Sequence, residues 1–230
     1  MKLWNGGKGA VSLTFDDGLA CQAEQAIPML NGHNLYGTFF IVAKNLSRCT
    51  DLWRAAAKSV HEMGSHSFGH FKARLVTTDE GRYSETVLSK AAIESTLDTK
   101  VESYAYPYAI TDDPMMAAVC KVYKQARGGH CSPGQLFLRP TPDTNMFLTR
   151  SMNMCAGNID SAYDLINTAL ASGTWLTFMF HGIGDATQFD NICAEKFETF
   201  LTHLDVARKQ GLWVGTYGAV AQSMRDNWRK

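Results

Sequence analysis

Long apolar runs are missing from this 230-residue chain. None reaches the roughly 18 residues that cross a bilayer, and the start, Met1-Lys2-Leu3-Trp4-Asn5-Gly6, lacks the apolar core of a signal peptide. The expectation is a cytoplasmic protein or a trimmed mature form. A charge excess of either sign is also missing: Lys+Arg and Asp+Glu are both 22, so neither nucleic acid nor an acidic membrane surface is expected as a partner. Six cysteines stand at 21, 49, 120, 131, 155 and 193, but no two have the Cys-x-x-Cys spacing of a structural zinc or redox site. Cys120 and Cys131 are close enough to staple a loop, and buried free thiols are an equal alternative. The compartment is left open, leaning to secreted. There is no internal repeat, linker or low-complexity segment. With 45% hydrophobic and 19% charged residues, one sizeable globular core remains.

Strand-like and helix-like runs alternate along that chain. Ala10–Phe15, Tyr36–Val42, Ser103–Tyr106, Phe147–Met152, Trp175–Phe180 and Trp213–Thr216 read as strands by apolar, β-branched and aromatic content. Gly64–Ser67 reads as a short strand end, and a further short run lies near Gln125–Gly128. Helices are expected over Ala23–Leu30, Leu52–Met63 (capped by Asp51, stopped by Gly64), Arg82–Asp98, Pro114–Lys124, Asp160–Ala171 and Ala194–Gln210, with a last short one from Gly218. A loop rich in Gly and Pro spans Gly129–Asp143. Seven or eight strands separated by helices imply a single α/β domain with a parallel sheet, closed or nearly closed into a barrel at this length.

The chemistry centres on Ser12-Leu13-Thr14-Phe15-Asp16-Asp17-Gly18, a strand that delivers two adjacent carboxylates and a turn glycine. Side chains alternate along a strand, so Asp16 and Asp17 point in different directions and need not share a task. Asp-Gly is common in turns; what gives the pair weight is His66-Ser67-Phe68-Gly69-His70 and Phe180-His181-Gly182. One helical turn between His66 and His70 would place both imidazoles on one face, as a metal requires. With Asp17 they make a two-histidine, one-carboxylate set that leaves positions for water and substrate, which suits a catalytic Zn²⁺ or similar divalent ion. Asp16 is then a candidate base, and His181 a candidate acid near neutral pH. Asp16, Asp17, His66, His70, Tyr108 and His181 all fall at or just after strand carboxyl ends, which share one rim in a barrel.

Together Thr14-Phe15-Asp16-Asp17-Gly18, His66-Ser67-Phe68-Gly69-His70 and the strand ending at His181 resemble the polysaccharide deacetylases, the NodB-homology domain of carbohydrate esterase family 4, over about residues 8 to 217. The resemblance implies an irregular, distorted TIM-like (β/α)7-8 barrel. It implies a metal, often zinc but also cobalt or nickel, held by Asp17, His66 and His70, with Asp16 as base and His181 as acid. Tyr104-Ala105-Tyr106-Pro107-Tyr108-Ala109 looks like the third motif of that family, where the residue after proline, Tyr108, lends a backbone N–H to the oxyanion. The expected substrate is an acetylated carbohydrate such as acetylxylan, chitooligosaccharide or peptidoglycan, attacked at O- or N-linked acetyl groups.

The third motif departs from the family pattern: its arginine is replaced by Ala105 and its glycine by Ala109. Arg127, in Ala126-Arg127-Gly128-Gly129 at the next strand end, is the candidate substitute, and Arg127→Ala is expected to depress turnover far more than thermal stability. The fourth motif is not recognisable, which leaves the aspartate that would adjust His181 unassigned, with Asp143 and Asp160 as guesses. Trp4, Trp175, Trp213, Phe39, Phe40 and Phe178 read as core, and Tyr36, Tyr106 and Tyr108 as candidates to line a groove. Two other readings stand beside the esterase: a hydrolase of the same scaffold acting on a non-sugar amide or aryl ester, and a non-catalytic sugar-binding protein.

Overall fold

Extended, apolar Gly9–Phe15 forms β1, the fully buried central strand of one eight-stranded sheet. The structure, a computed structural model, describes residues 4–128, 135–185 and 187–228. Parallel strands β2 (Gly37–Ile41), β3 (Glu62–Ser65), β4 (Ser103–Ala105) and β5 (Gln125–Arg127) follow outward from one edge of β1. From its other edge run β7 (Trp175–Phe180) and then β6 (Met152–Asn153). The short β8 (Leu212–Val214) pairs with the first residues of β1. A single parallel bridge, Arg127 to Thr149, joins the two outer ends. The sheet is therefore curled into a nearly closed, irregular (β/α) barrel. Each parallel crossover needs an intervening helix or loop, and α1 (Ile27–Gly32), α2 (Thr50–Ala57), α3 (Asp79–Tyr83), α4 (Ser89–Leu97), α5 (Asp113–Val122), α6 (Ala162–Ser172), α7 (Ala194–Lys209) and α8 (Tyr217–Trp228) supply most of them.

The period-2 alternation of strands divides the core in two. On β1, Val11, Leu13 and Phe15 face the helices, where the Phe15 ring stacks on Phe39 (4.7 Å) and Phe180 (5.2 Å). Ala10 faces the barrel interior with Phe40, Ala105, Trp175 and Tyr217. Ser12 also faces inward, accepting the Trp175 indole N–H at 3.1 Å. Full burial of such rings is worth ~1.5–3 kcal/mol each. The same parity carried one residue past β1 points Asp16 into the mouth of the barrel, and a left-handed backbone at Asp17 (φ 77°) breaks the alternation and turns Asp17 to the same cavity.

Tertiary pairing moved several element boundaries. The helix expected over Leu52–Met63 ends at Ala57: Ser59 N–H turns back onto Ala56 (3.0 Å), and Glu62 onward is drawn into β3 by pairing with β2, so Gly64 lies inside a strand. Asp51 sits in the first turn of α2 instead of capping it and pairs loosely with Arg54 at 3.6 Å. Of the strand expected over Phe147–Met152, only Thr149, in an isolated bridge, and Met152, the first residue of β6, are paired. The expected Arg82–Asp98 helix runs through a π-helical turn, Ser84–Leu88, between α3 and α4. Cys21, Cys49, Cys120, Cys155 and Cys193 are free thiols; Cys131, the candidate partner of Cys120, lies outside the described residues. Among the described residues, no helix is long and apolar enough to cross a membrane.

Candidate active site

The carboxyl ends of β1, β3, β4, β6 and β7 surround a cavity of about 340 Å³ lined by Asp16, Asp17, His66, His70, Tyr108, Asn153 and His181 among others. Asp16 is buried, at 3% exposure, and its carboxylate receives Arg127 Nη2 on both oxygens at 2.5 Å. Burial alone would raise the Asp16 pKa. The Arg127 guanidinium, followed by His66 and His181, outweighs it and holds the group below the ordinary aspartate value, so Asp16 is ionised. Arg127, only 1% exposed, lies over the Phe40 ring (5.2 Å) and donates from Nη1 to Ser151 Oγ at 3.0 Å. Its place follows from register: Ala105 and Arg127 are Cα partners in parallel strands, so an arginine on β5 projects to the same face as the position that β4 fills with alanine.

Asp17, His66 and His70 bring one carboxylate oxygen and two ring nitrogens within 4.8 Å of one another. His70 Nε2 stands 3.3 Å, and His66 Nε2 3.7 Å, from Asp17 Oδ1. His66 Nδ1 is 2.8 Å from the Ala105 carbonyl. A carbonyl can only accept, so Nδ1 carries a proton and Nε2 is the nitrogen turned toward Asp17. His70 is pushed down to about 4, first by burial and then by His66, and is neutral at pH 7. Two imidazoles, that of His66 held through Nδ1–H by a backbone acceptor, and one carboxylate match what a divalent ion needs from an open site. The pair is not brought together by a helical turn. Ser67 (φ 68°) and His70 (φ 61°) adopt left-handed backbone, and Ser67 Oγ accepts the His70 N–H at 2.9 Å, closing a tight non-helical turn.

His181 follows β7 and meets the Phe189 ring edge-on at 5.2 Å. Its Nδ1 is buried with no hydrogen-bond partner among the described residues. Asp143 is exposed, and Asp160 is exposed and faces Lys196 at 3.5 Å. Tyr108 (φ 58°) forms the rim, its ring 4.7 Å from that of His70 and beneath the Lys72 ammonium at 4.8 Å. Tyr106, expected to line a groove, is buried at 1%.

Three contributors were not anticipated. Buried Gln22 donates to the carbonyls of both Asp16 (2.6 Å) and His181 (3.0 Å), tying the two sides of the cavity together. Phe189 forms a wall and is 70% exposed. Asn153 ends β6 and donates Nδ2 to Asp190 Oδ2 at 2.7 Å, which leaves its buried Oδ1 without a donor among the described residues. Its position at a strand carboxyl end was the available signal, masked by the misjudged limits of that strand.

Residues 5–126, just over half the chain, match the family model described as Polysaccharide deacetylase. The chain is 23% identical to a gellan lyase of Bacillus sp over 96% of its length, but that match takes in 10% of the relative. It is 30% identical to a peptidoglycan-N-acetylglucosamine deacetylase of Bacillus cereus over 37% of its length and 33% of the relative. The chain thus spans a third or less of the curated relatives it matches. In structure it superposes on a Mycobacterium smegmatis protein assigned as a polysaccharide deacetylase with a TM-score of 0.72, at 15% identity, covering 96% of this chain and 92% of the other. Fold, motif order and family match agree: the chain belongs to the polysaccharide deacetylase family.

Proposed function

We propose that this chain is a metal-dependent carbohydrate esterase that hydrolyses O- or N-linked acetyl groups of an acetylated carbohydrate and releases acetate. The observation that carries the reading is the convergence, in one cavity, of the Asp17–His66–His70 set, the ionised Asp16–Arg127 pair and His181. Asp17, His66 and His70 hold the ion, with zinc the first choice and cobalt or nickel as alternatives. When bound, a divalent ion supplies Lewis-acid polarisation and lowers the pKa of water.

The residues of the chain do the rest. Asp16 takes the proton of the attacking water, and Arg127 keeps that carboxylate ionised and aimed into the cavity. The Tyr108 backbone N–H donates to the oxygen of the scissile carbonyl as it gains charge; losing such a donor typically costs ~3 kcal/mol. His181 protonates the departing amine or alcohol. Tyr108 and Phe189 offer aromatic faces at the mouth to a sugar ring.

The test is acetate release from acetylxylan, chitooligosaccharides, peptidoglycan fragments and an aryl acetate, comparing Zn²⁺-loaded enzyme, chelated enzyme and Asp16→Asn. Metal-dependent release that collapses in Asp16→Asn supports the reading, and the best substrate identifies the class. No release from the sugar substrates while the metal is bound overturns it in favour of a non-sugar substrate or a binding role.

A further inference from the structure

The turn that carries His70 is fastened at every polar group of the two peptides flanking Gly69. In the 68–69 peptide, the Phe68 carbonyl accepts the Lys44 backbone N–H at 3.1 Å, and the Gly69 N–H is shared between Glu85 Oε1 (3.1 Å) and Oε2 (3.0 Å). In the 69–70 peptide, the Gly69 carbonyl accepts Lys44 Nζ at 2.6 Å, and the His70 N–H goes to Ser67 Oγ. Glu85 is 4% exposed and lies in the π-helical turn Ser84–Leu88. Burying a carboxylate to hold one loop amide is costly unless the loop must stand in one place, and π-turns recur at functional sites. The turn also carries strain, with two non-glycine residues at positive φ. A Cβ at Gly69 would lie 2.4 Å from the Phe71 ring and 3.0 Å from Glu85 Oε1, so the site admits only glycine without rearrangement.

We propose that Glu85 and Lys44 are positioning residues for His70: by gripping both peptides around Gly69 they set where its imidazole stands relative to Asp17 and His66. This rests on the metal reading above. Neither residue touches the cavity; both act through the backbone of the loop.

Lys44 makes the inference decidable by sign. Its ammonium sits on the Gly69 carbonyl, one residue from His70, so as a bare charge it repels a bound cation, and removing it would tighten metal binding. As a clamp it orders a ligand, and removing it must weaken binding. Lys44 is exposed, so Lys44→Met leaves the core untouched.

The experiment is calorimetric titration of the metal-free protein with Zn²⁺ for the unaltered chain, Lys44→Met, Glu85→Leu and Glu85→Gln, with circular dichroism melts of the metal-free proteins alongside. Lys44→Met and Glu85→Leu are expected to weaken Zn²⁺ binding about 10- to 100-fold, the usual range for groups that orient ligands. Glu85→Gln keeps an acceptor for the Gly69 N–H and restores most of the affinity. Folded Lys44→Met that binds Zn²⁺ as tightly as the unaltered chain, or more tightly, overturns the positioning role and leaves the metal reading standing. An unaltered chain that binds no Zn²⁺, Co²⁺ or Ni²⁺ overturns both.

Discussion

On one side of the cavity, the chemical groups have partners in the protein, Arg127 Nε being an exception among the described residues. Asp16 is bound by Arg127, His66 by the Ala105 carbonyl, and the His66–His70 turn by Ser67. On the other side, His181 Nδ1 and Asn153 Oδ1 are buried with no hydrogen-bond partner among the described residues. An unpaired buried polar atom costs ~1–3 kcal/mol, so the second side is left unsatisfied at an expense that a substrate hydroxyl or amide N–H would offset. The family match ends at residue 126, one residue short of Arg127. The contrast separates a preorganised half, whose task is set by its own bonds, from a half whose bonding is completed by what enters it.

Substitutions in the two halves should therefore differ in kind. The largest effect is expected from Asp17→Ala, which removes the carboxylate of the ligand set: turnover should fall about 10⁴-fold, ~5.5 kcal/mol of barrier, and Zn²⁺ bound after purification should fall with it. Arg127→Met comes next. The expectation that its loss depresses turnover far more than stability fits an exposed arginine; at 1% exposure that loss strands a buried carboxylate and should also cost ~3–5 kcal/mol in chemical denaturation. The sign with pH is fixed. In the unaltered protein the lowered Asp16 pKa contributes stability that is present above the ordinary aspartate value and lost as pH falls through the folded value. In Arg127→Met, burial acts with less opposition, the pKa rises, and both that acid-side loss of stability and the match to the unaltered pH profile should disappear, the acid limb of kcat/KM moving to higher pH.

The satisfied half was legible in the sequence because its groups lie within two residues of strand ends, where parity and register fix direction. Asp16 continues the inward parity of Ala10 and Ser12, and Arg127 sits beside Ala105 because two three-residue strands are in register. The turn between His66 and His70 was not legible as a turn. Spacing by four suits a helix equally well, and what decides against it is the serine hydroxyl that bonds the His70 N–H together with positive φ at Ser67 and His70. In the unsatisfied half His181 was legible at the end of a strand, but Asn153 was hidden for a different reason. The segment before β6 makes one bridge and a two-residue strand, too little pairing to leave an alternation, so Asn153 could not be seen to end a strand. Gln22 and Glu85 join residues distant in sequence through backbone amides and carbonyls, contacts to which no motif spacing corresponds.

Two substitutions probe the unsatisfied half. His181→Gln should lower kcat about 10²-fold, at the low end for loss of an acid catalyst, with less change in KM; the decisive comparison is the aryl acetate, whose leaving group needs little protonation and should lose much less. The smallest effect is expected from Asn153→Leu. In the satisfied half, removing a bonded group strands its partner and destabilises. Here the Oδ1 removed has no partner, so its removal relieves a cost, while the Nδ2 bond to half-buried Asp190 is lost. The two nearly cancel, and thermal stability should stay within about 0.5 kcal/mol of the unaltered protein. Binding is where the change should appear: a carbohydrate that donates to Asn153 Oδ1 loses one hydrogen bond, about a tenfold rise in KM, with the aryl acetate, which has no donor, unaffected. A fall in stability of several kcal/mol would instead show that Asn153 belongs with the preorganised groups, and the division of the cavity into two unlike halves would be drawn in the wrong place.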